Sequence, residues 1–420
     1  MLLGAIADDF TGATDLCSML VRGGMRTVQL IGVPREGEPP PDADAVVVAL
    51  KSRTAPVRQA VQESLTALEW LRSIGCEQFF FKYCSTFDST DAGNIGPVAD
   101  ALIEALGCGF ALACPAFPAN ARSVYQGYLF VGSVLLNESG MEHHPLTPMT
   151  DASLVRVLSR QTDGTVGLVP YVTVEQGATA IRAAMAALKE QGHRYAIVDA
   201  VSDSHLMAIG EAAAEHPLVT GGSGVAMGLP ENFRRAGKLP TRDAASLPSL
   251  SGHAAVLAGS CSRATLGQLG FAREKVPVLQ LDPLASPDAS RMVAMARDWM
   301  TDKLGTTPIV IAASAPPDQV TELQRRLGRD AAGALIEQTL AQIAEDLVAR
   351  GVRRVVVAGG ETAGAVVSRL GVHSLRIGAE IDPGVPWTYA EGGTTPLLMA
   401  LKSGNFGARD FFLKAFEVLP

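Results

Sequence analysis

Short apolar runs alternate with segments of helical periodicity along most of the chain, and polar turns follow many of these runs. The first run, Met1–Ala7, is almost entirely apolar and predicts a strand that is buried on both faces. It leads into a polar turn over residues 8–12, and helical spacing follows over Ala13–Val21. A strand that enters a helix through a short polar turn is typical of a parallel sheet. We therefore expect this turn at the carboxyl edge of the sheet, where open α/β sheets bind their ligands.

The order of strand and helix then continues, with one predicted helix over Val174–Gln191, and it breaks over residues 116–148, where alternation between turn residues predicts a hairpin excursion. Residues 236–253 have no periodicity and several Pro, Ser and Arg residues, which is typical of a linker. A second alternating series starts at residue 254 and ends in strand-like segments at Trp387–Tyr389 and Pro396–Leu401.

The pattern predicts an α/β protein of two domains, 1–235 and 254–420, joined by the linker at 236–253. Each domain is expected to have a largely parallel sheet flanked by helices, and the active site is expected in the interdomain cleft. A chain of 420 residues is also too long for one ordinary core.

The composition of the chain argues against some classes of binding partner and some locations. The net charge is −8 at pH 7 and the Lys and Arg residues form no dense stripe, which argues against a nucleic-acid partner. No uninterrupted apolar run reaches membrane-spanning length, and the start of the chain lacks the features of a signal peptide. The six cysteines have no CxxC spacing, which favours reduced thiols and a cytoplasmic enzyme.

Polar residues follow several predicted strands of the N-terminal domain. They are Asp8, Asp9, Thr11, Arg53, Lys82, Asp88, Ser89 and Asn94, and the glycine turn at 221–224 adds Gly222 and Ser223. Two adjacent carboxylates cost free energy unless they meet a cation, a hydroxyl or a metal, although one Asp could simply cap the following helix. Each residue by itself could be an ordinary loop residue. Their recurrence at strand ends favours a site for a small polyhydroxylated acid.

The C-terminal domain has a different signal. Consecutive glycines at 359–360 lie between a β-branched run and a helix, so backbone N–H groups and the helix N-terminus could bind phosphate, although a plain tight turn would use the same glycines. The turns at Ser260 and at 402–405 are weaker signals that could line the same site. The predicted nucleotide-binding residues are Ser260, Gly359, Gly360, Glu361, Thr362, Ala363, Ser403, Gly404 and Asn405.

These turns exclude some familiar sites. They match neither Walker A nor the GxGxxG fingerprint, and two carboxylates at 8–9 would stand where a dinucleotide-linked oxidoreductase holds pyrophosphate. A non-enzymatic, two-lobed sugar-acid-binding protein would explain the N-terminal residues but not the C-terminal glycine turns. His143 and His144 lack further ligands at metal spacing, and no protein metal site is predicted.

Several motifs together resemble the four-carbon acid sugar kinase family. They are ADDFTGATD at 7–15, KYCSTFDST at 82–90, GNIG at 93–96, GGSG at 221–224, AGSCS at 258–262, AGGET at 358–362 and ALKSGNFG at 400–407. The form at 82–90 and the tail are similar to the branch of the family that acts on 3-oxo-tetronate. The resemblance implies a sugar-binding N-terminal domain, a nucleotide-binding C-terminal domain and ATP-dependent phosphorylation of the C4 hydroxyl, with threonate or erythronate as the alternative substrate.

The resemblance and the residues together suggest a mechanism. ATP would bind the C-terminal glycine turns, and Mg²⁺ would be carried by its phosphates rather than by protein ligands. Arg53 or Lys82 would hold the carboxylate of the acid, and Asp8 or Asp9 would deprotonate its hydroxyl. Asp9 is preferred as the base because it lies one residue further past the strand end. The expected partners are the sugar acid and ATP, with a homo-oligomer left open.

Overall fold

Residues 1–34, 37, 39–144, 146–391 and 395–419 are described by a computed structural model of the chain. The chain divides into two units, and the division between Ala245 and Ser246 falls inside the segment predicted as the linker. Both halves of that segment contact a folded unit: Arg242 pairs with Asp44 in the first unit, and Leu247 packs in the core of the second. The predicted domain limits themselves stay predictions.

The first unit is built on parallel strands. Its strands are β1 (Leu3–Ala7), β2 (Thr27–Ile31), β3 (Ala45–Ala49), β4 (Gln78–Lys82), β5 (Ala111–Cys114), β6 (Arg122–Tyr125), β7 (Tyr128–Val131), β8 (Val134–Leu135), β9 (Val166–Val169), β10 (Tyr195–Val198) and β11 (Leu218–Gly221). The main sheet has the order β2-β3-β1-β4-β11-β5-β10-β9, and each of these pairings is parallel. Every residue of β1, β3 and β4 is buried, as the apolar run at the start of the chain predicts for β1.

The helices of the first unit follow the strands closely. They are α1 (Phe10–Arg22), α2 (Val57–Ser73), α3 (Ile95–Leu106), α4 (Leu154–Ser159), α5 (Tyr171–Val174), α6 (Ala178–Glu190), α7 (Asp203–Ala212) and α8 (Leu229–Arg235). The single helix predicted over Val174–Gln191 is wrong. Gly177 at φ +87° separates α5 from α6, and a residue at positive φ does not continue a right-handed helix.

The predicted hairpin excursion is confirmed. Strands β6, β7 and β8 form a separate antiparallel sheet in the order β6-β7-β8. The turn between β6 and β7 is held by Asp199, whose carboxylate accepts backbone N–H bonds from Gln126 at 2.6 Å and from Gly127 at 2.8 Å.

The second unit has a mixed sheet. Its strands are β12 (His253–Ala258), β13 (Val278–Gln280), β14 (Ile309–Ala312), β15 (Val352–Ala358), β16 (Ser374–Asp382), β17 (Val385–Glu391) and β18 (Leu397–Lys402). Its helices are α9 (Arg263–Arg273), α10 (Ala289–Thr301), α11 (Pro317–Leu327), α12 (Arg329–Ala349), α13 (Gly360–Arg369) and α14 (Phe411–Glu417). The strand order is β13-β14-β12-β15-β18-β17-β16, in which β17 pairs antiparallel with both of its neighbours and the other pairings are parallel.

The strand-like segments predicted at Trp387–Tyr389 and Pro396–Leu401 correspond to β17 and β18. Strand β16 and helix α11 were not predicted. Trp387 lies in the core of this unit, 1% exposed, and its indole N–H donates to the carbonyl of Ala415 in α14.

Within each unit, the register between strands brings the polar turns to one edge of that unit's sheet. In the first unit Ala7 lies opposite Ala49 and Lys82, and Lys82 lies opposite Gly221. In the second unit Ala358 lies opposite both Ala258 and Lys402. Among the helices of the described residues, none is both long and apolar enough to span a membrane.

Candidate active site

Asp8 is the most buried of the predicted carboxylates in the first unit. It is 5% exposed, and the guanidinium of Arg53 donates to both of its oxygens at 2.9 Å from Nε and from Nη2. Burial raises the pKa of Asp8, and the charge of Arg53 offsets part of that rise. A bidentate, buried pair of this kind fixes both side chains in one geometry.

Asp9 caps helix α1. Its Oδ1 accepts from the backbone N–H of Gly12 at 2.8 Å and also lies 3.0 Å from Nη2 of Arg53. Its other oxygen, Oδ2, has no hydrogen-bond partner among the residues that the structure describes, and its side chain is 32% exposed. The capping role and an available carboxylate oxygen therefore coexist in one residue.

Lys82 lies beside the start of α1. Its ammonium donates to the carbonyl of Tyr83 at 2.7 Å, and it would lie 2.9 Å from a Cβ placed on Gly12. The same Cβ would lie 2.3 Å from Oδ1 of Asp9, so this helical turn has room for no side chain at position 12. Gly12 thus lets Asp9 and Lys82 approach the same point.

Asp15 is a residue of this site that sequence reasoning missed. It lies one turn further along α1, its carboxylate accepts from the hydroxyl of Ser223, and burial raises its pKa while Lys82 lowers it. Its place in the motif that begins at Ala7, on the half-buried side of α1, was the available signal.

Arg53 meets a third carboxylate as well. Its Nη1 lies 3.6 Å from Oδ2 of Asp88, whose Oδ1 accepts from Thr86 at 2.6 Å. The loop that carries Arg53 is held by Asn94, which donates to the carbonyls of Ser52 at 2.7 Å and Ala55 at 2.8 Å.

Ser89 is held by the side-chain amide of Gln161, a residue that follows helix α4. The hydroxyl of Ser89 bonds to that amide, whose oxygen also accepts from the backbone N–H of Gly96 at 2.9 Å. The structure therefore brings five predicted residues around one small cavity of about 10 Å³, namely Asp8, Arg53, Asp88, Ser89 and Asn94. A cavity of this volume holds about one water molecule. The five side chains therefore leave no room for a substrate between them, and they support the site by holding one another in place.

The glycine turn at 221–224 packs against the chain that follows β5. A Cβ on Gly222 would lie 2.6 Å from the carbonyl oxygen of Pro115, and one on Gly224 would lie 2.6 Å from that of Ala116. Close approach of two backbones accounts for these glycines. Ser223 reaches the site through Asp15, and Thr11 lies half-buried in the first turn of α1.

In the second unit, Gly359 is the strained position. It precedes α13 at φ +129° and ψ +130°, a region that side chains rarely allow, and its N–H donates to the carbonyl of Lys402 at 2.9 Å. A Cβ there would lie 3.1 Å from both the backbone N of Ser260 and Oγ1 of Thr362. Gly360, by contrast, has open space around its Cβ position.

The turn after β18 is tied to the turn after β12. The carbonyl of Gly404 accepts from the hydroxyls of Ser262 at 2.6 Å and Thr265 at 2.9 Å. A Cβ on Gly404 would lie 2.2 Å from Oγ of Ser260. The structure therefore brings Ser260, Gly359 and Gly404 together, as the sequence predicted that the three turns would line one site.

Lys402 begins the turn at 402–405 that the sequence indicated, although it is not among the predicted nucleotide-binding residues. It is 1% exposed, and its ammonium donates to the carbonyls of Gly404 at 3.0 Å and Ser403 at 3.1 Å and to Oγ1 of Thr265 at 3.2 Å. In the described part of the chain no carboxylate pairs with it, and burial lowers its pKa to about 8. A buried cation behind glycine turns suits an anionic ligand.

The remaining predicted nucleotide-binding residues divide by exposure. Gly360, Glu361 and Asn405 are exposed, whereas Thr362 and Ala363 are buried in the first turn of α13. Among the described residues, no group of three or more His, Cys, Asp or Glu side chains is arranged to hold a metal ion.

The chain was compared with known proteins. Residues 3–229 match the family model described as a sugar-binding N-terminal domain, and residues 255–412 match that of a nucleotide-binding C-terminal domain.

Two curated relatives are similar over the whole chain. A 3-oxo-tetronate kinase of Burkholderia multivorans is 62% identical, and one of Cupriavidus necator is 59% identical; each match covers 100% of this chain and 97% of the relative. A crystal structure from Salmonella typhimurium LT2, described as that of a proposed tRNA synthase, has a TM-score of 0.92 and 45% identity over 98% of both chains.

Replacement of Gly359 by Ala should destabilise the turn and weaken binding of ATP. The Cβ would force a strained backbone against Ser260, at a cost of about 1–3 kcal/mol in the free energy of unfolding. Gly364→Ala is the matched control, because it adds a Cβ in open space further along the same helix and lies outside the predicted nucleotide-binding residues. Thermal unfolding and titration calorimetry with ATP measure both effects. Wild-type affinity in a folded Gly359→Ala variant would contradict the assignment of this turn.

Proposed function

The chain belongs to the four-carbon acid sugar kinase family, and we propose that it transfers the γ-phosphoryl group of ATP to the C4 hydroxyl of 3-oxo-tetronate. The product is 3-oxo-tetronate 4-phosphate, an intermediate of acid sugar catabolism. The observation that carries the proposal is 62% identity over the full length to a protein named 3-oxo-tetronate kinase. The site geometry in each unit supports it independently.

Asp9 is the side chain suited to act as the base. Asp8 has both oxygens engaged by Arg53, whereas Oδ2 of Asp9 is available and its carboxylate is held in place by the cap to Gly12. A general base must reach the hydroxyl proton directly, and an exposed, oriented carboxylate oxygen meets that requirement. Arg53 places one guanidinium against both carboxylates, and its positive charge opposes the rise that burial causes in the pKa of Asp8.

Lys82 is the cation better suited to the carboxylate of the acid. Arg53 already faces the carboxylates of Asp8, Asp9 and Asp88. The ammonium of Lys82 has one hydrogen-bond acceptor among the described residues and lies beside the N-terminal turn of α1, whose partial positive charge also favours an anion.

The second unit supplies the nucleotide site of this proposal. The turns at Ser260, Gly359 and Gly404 offer closely packed backbone, and Lys402 supplies a buried positive charge behind them. Phosphoryl transfer needs mainly positioning and neutralisation of charge, which these groups provide. Mg²⁺ bound to the ATP phosphates would add further neutralisation, and the exposed carboxylate of Glu361 in the first turn of α13 is the protein group that fits a contact with it.

Other functions have weaker support. Threonate or erythronate as the substrate is less favoured by the names of the relatives, and a non-enzymatic binding protein would leave the buried Lys402 unexplained. A tRNA partner has no support in a chain of net charge −8. The interdomain cleft, a cytoplasmic location and a homo-oligomer stay predictions.

The direct test is release of ADP in a coupled assay with 3-oxo-tetronate, threonate and erythronate as separate acceptors. We expect turnover with 3-oxo-tetronate and a lower kcat/KM with the other two acids. Turnover with threonate or erythronate alone would move the chain to the other branch of the family. Absence of ADP release with all three acids would contradict the proposed function.

Asp9→Asn should lower kcat by about 10²–10⁴-fold with little change in the KM for either substrate, because the amide caps α1 but accepts no proton. Asp288→Asn is the matched control: Asp288 caps α10 through the same kind of side-chain bond. Steady-state kinetics of the two folded variants distinguish a role of Asp9 as the base from a role as the cap alone. Near-wild-type kcat in Asp9→Asn would leave Asp9 with the capping role alone.

Lys82→Met should raise the KM for the acid by about 10- to 100-fold, the loss expected for one charge-assisted contact, and should leave ATP binding unchanged. Arg53→Met should instead lower the free energy of unfolding by about 3–5 kcal/mol, because it leaves Asp8 buried without its partner. Kinetics and chemical denaturation distinguish the two outcomes, with Lys189→Met on the exposed side of α6 as the control. A wild-type KM in Lys82→Met would place the carboxylate elsewhere.

Affinity for ATP should fall as the pH rises through about 8. Phosphate oxygens favour the protonated form of Lys402, whose pKa burial lowers to about 8, so the charge that attracts them is present below that pH and lost above it. Calorimetry from pH 7 to 9 should show this fall in ATP affinity in the wild-type protein and in Lys303→Met, a control at an exposed position. The fall should be absent in Lys402→Met. A step that persists in Lys402→Met would assign it to another group.

A further inference from the structure

A cavity of the first unit lies between the hairpin excursion and helix α4, outside the residues assigned to the candidate active site. Its volume is about 440 Å³, within the range of small-molecule sites. Strands β7 and β8 form one side of it, and α4 and the chain around this helix form the other. The side chains that line this hairpin cavity include Tyr128, Leu135, Asn137, Thr150, Arg156 and Arg160.

Two arginines give the hairpin cavity a positive wall. Arg156 and Arg160 are four residues apart in the chain, and Asp151 is the one acidic side chain on the wall among the described residues. The wall therefore has an excess of positive charge, although the net charge of the chain is −8. A cleft of this kind favours an anionic ligand.

Arg156 is already held in one position. The carboxylate of Asp151 accepts from its Nε at 2.9 Å and from its Nη2 at 2.6 Å, and its Cζ lies 5.6 Å from the centre of the Tyr128 ring. The remaining nitrogen, Nη1, makes only a long bond of 3.3 Å to the hydroxyl of Tyr128. A guanidinium that is fixed before the ligand arrives loses little conformational entropy on binding.

Arg160 is held more weakly. Its Nη1 lies 3.2 Å from a carboxylate oxygen of Asp91, and the two side chains are 46% and 66% exposed. An ion pair this exposed contributes little to stability. An anion in the hairpin cavity can therefore replace Asp91 as the partner of Arg160 at small cost.

Neutral groups of the wall narrow the chemistry of the ligand. The amide of Asn137 and the hydroxyl of Thr150 have no hydrogen-bond partner in the part of the chain that the structure describes, so both can serve hydroxyl groups. Tyr128 and Leu135 add apolar surface for carbon atoms. Together with two arginines, which suit planar or tetrahedral anions, these groups fit a short hydroxylated carbon chain that ends in a carboxylate or a phosphate.

The hairpin cavity also contacts the loop of the candidate active site. Asp91 follows Ser89 on that loop, and Gln161, the neighbour of Arg160 in the chain, donates to the hydroxyl of Ser89 at 3.0 Å. A ligand that takes Arg160 away from Asp91 therefore removes one of the contacts that hold this loop.

We propose that the hairpin cavity is a second ligand site, which binds a small hydroxylated acid or its phosphate ester at Arg156 and Arg160 and acts on the active-site loop through Asp91. The binding itself does not depend on the proposed function. Its effect on turnover rests on that function.

The first test is calorimetry with 3-phosphoglycerate, a hydroxylated three-carbon acid that carries a phosphate. Arg156→Met and Arg160→Met should each weaken its binding by about tenfold or more, the loss of one charge-assisted contact. Arg291→Met is the control, because the side chain of Arg291 is 81% exposed and lies on α10 of the second unit. Glycerate and inorganic phosphate, titrated separately, show which end of the probe the arginines hold.

Two further variants exclude a general loss of folding as the cause. Thr150→Val at an exposed position keeps the shape of the side chain and should weaken binding by about 3- to 10-fold through the lost hydrogen bond. Asp91→Asn should strengthen binding by about 2- to 5-fold, because it removes the carboxylate that competes for Arg160. A damaged fold would not bind the probe more tightly.

The second test is the KM for 3-oxo-tetronate at a saturating concentration of 3-phosphoglycerate. We expect the KM of the wild-type protein to rise by about threefold or more, because the loop loses a contact, and we expect no rise in Arg160→Met. A rise that persists in Arg160→Met would assign the effect to competition at the active site and would overturn the action through Asp91.

The outcomes keep this inference apart from the proposed function. Equal binding of 3-phosphoglycerate by the wild type, Arg156→Met and Arg160→Met would overturn the second site and leave the kinase intact. Absence of ADP release with all three acids would contradict the proposed function, whereas the calorimetric test of the hairpin cavity would still stand.

Discussion

The guanidinium of Arg53 is the interaction on which the site of the first unit depends. Asp8, Asp9 and Asp88 converge on it, and without a cation at their centre three carboxylates at one sheet edge would repel one another. The amide of Asn94 in turn holds the loop that carries Arg53. Arg53 therefore acts as part of the framework that holds Asp8 and Asp9 in place, although it looks in the sequence like a ligand for substrate.

The second unit has the opposite arrangement, in which neutral groups surround a buried cation. Lys402 has carbonyl and hydroxyl oxygens around it, in place of the carboxylates that usually accompany a buried ammonium. Those dipoles hold its position and leave its charge uncompensated. A site of this kind is electrostatically incomplete until an anion arrives, whereas the cluster around Arg53 is already paired.

The sequence predicted the places of the turns better than the partners within them. Strand ends are visible from apolar runs, so the sheet edge that carries Asp8 and Lys82 in the first unit and the sheet edge that carries Gly359 in the second could each be found. Hydrogen-bond partners are set by register between strands that are distant in the chain, and no local pattern reports that Arg53 faces Asp8 or that Lys402 reaches Thr265. Asp15 was missed because a charged residue inside a helix pattern looks like an ordinary surface position. Lys402 was placed in the turn at 402–405, but nothing in the sequence indicates that its side chain is buried. The helix α11 was missed because the alternation of strands and helices places one helix between β14 and β15, and α12 already fills that place.

Gly12 allows two charged groups of the first unit's site to lie close together. A Cβ at position 12 would lie within 2.9 Å of both a carboxylate oxygen of Asp9 and the ammonium of Lys82, so these two groups stand close together because position 12 has no side chain. In the proposed complex one of them meets the hydroxyl at one end of the acid and the other meets the carboxylate at the opposite end. The missing side chain at position 12 would thus favour acids of one carbon-chain length, whereas the choice among four-carbon acids would depend on other groups of the site.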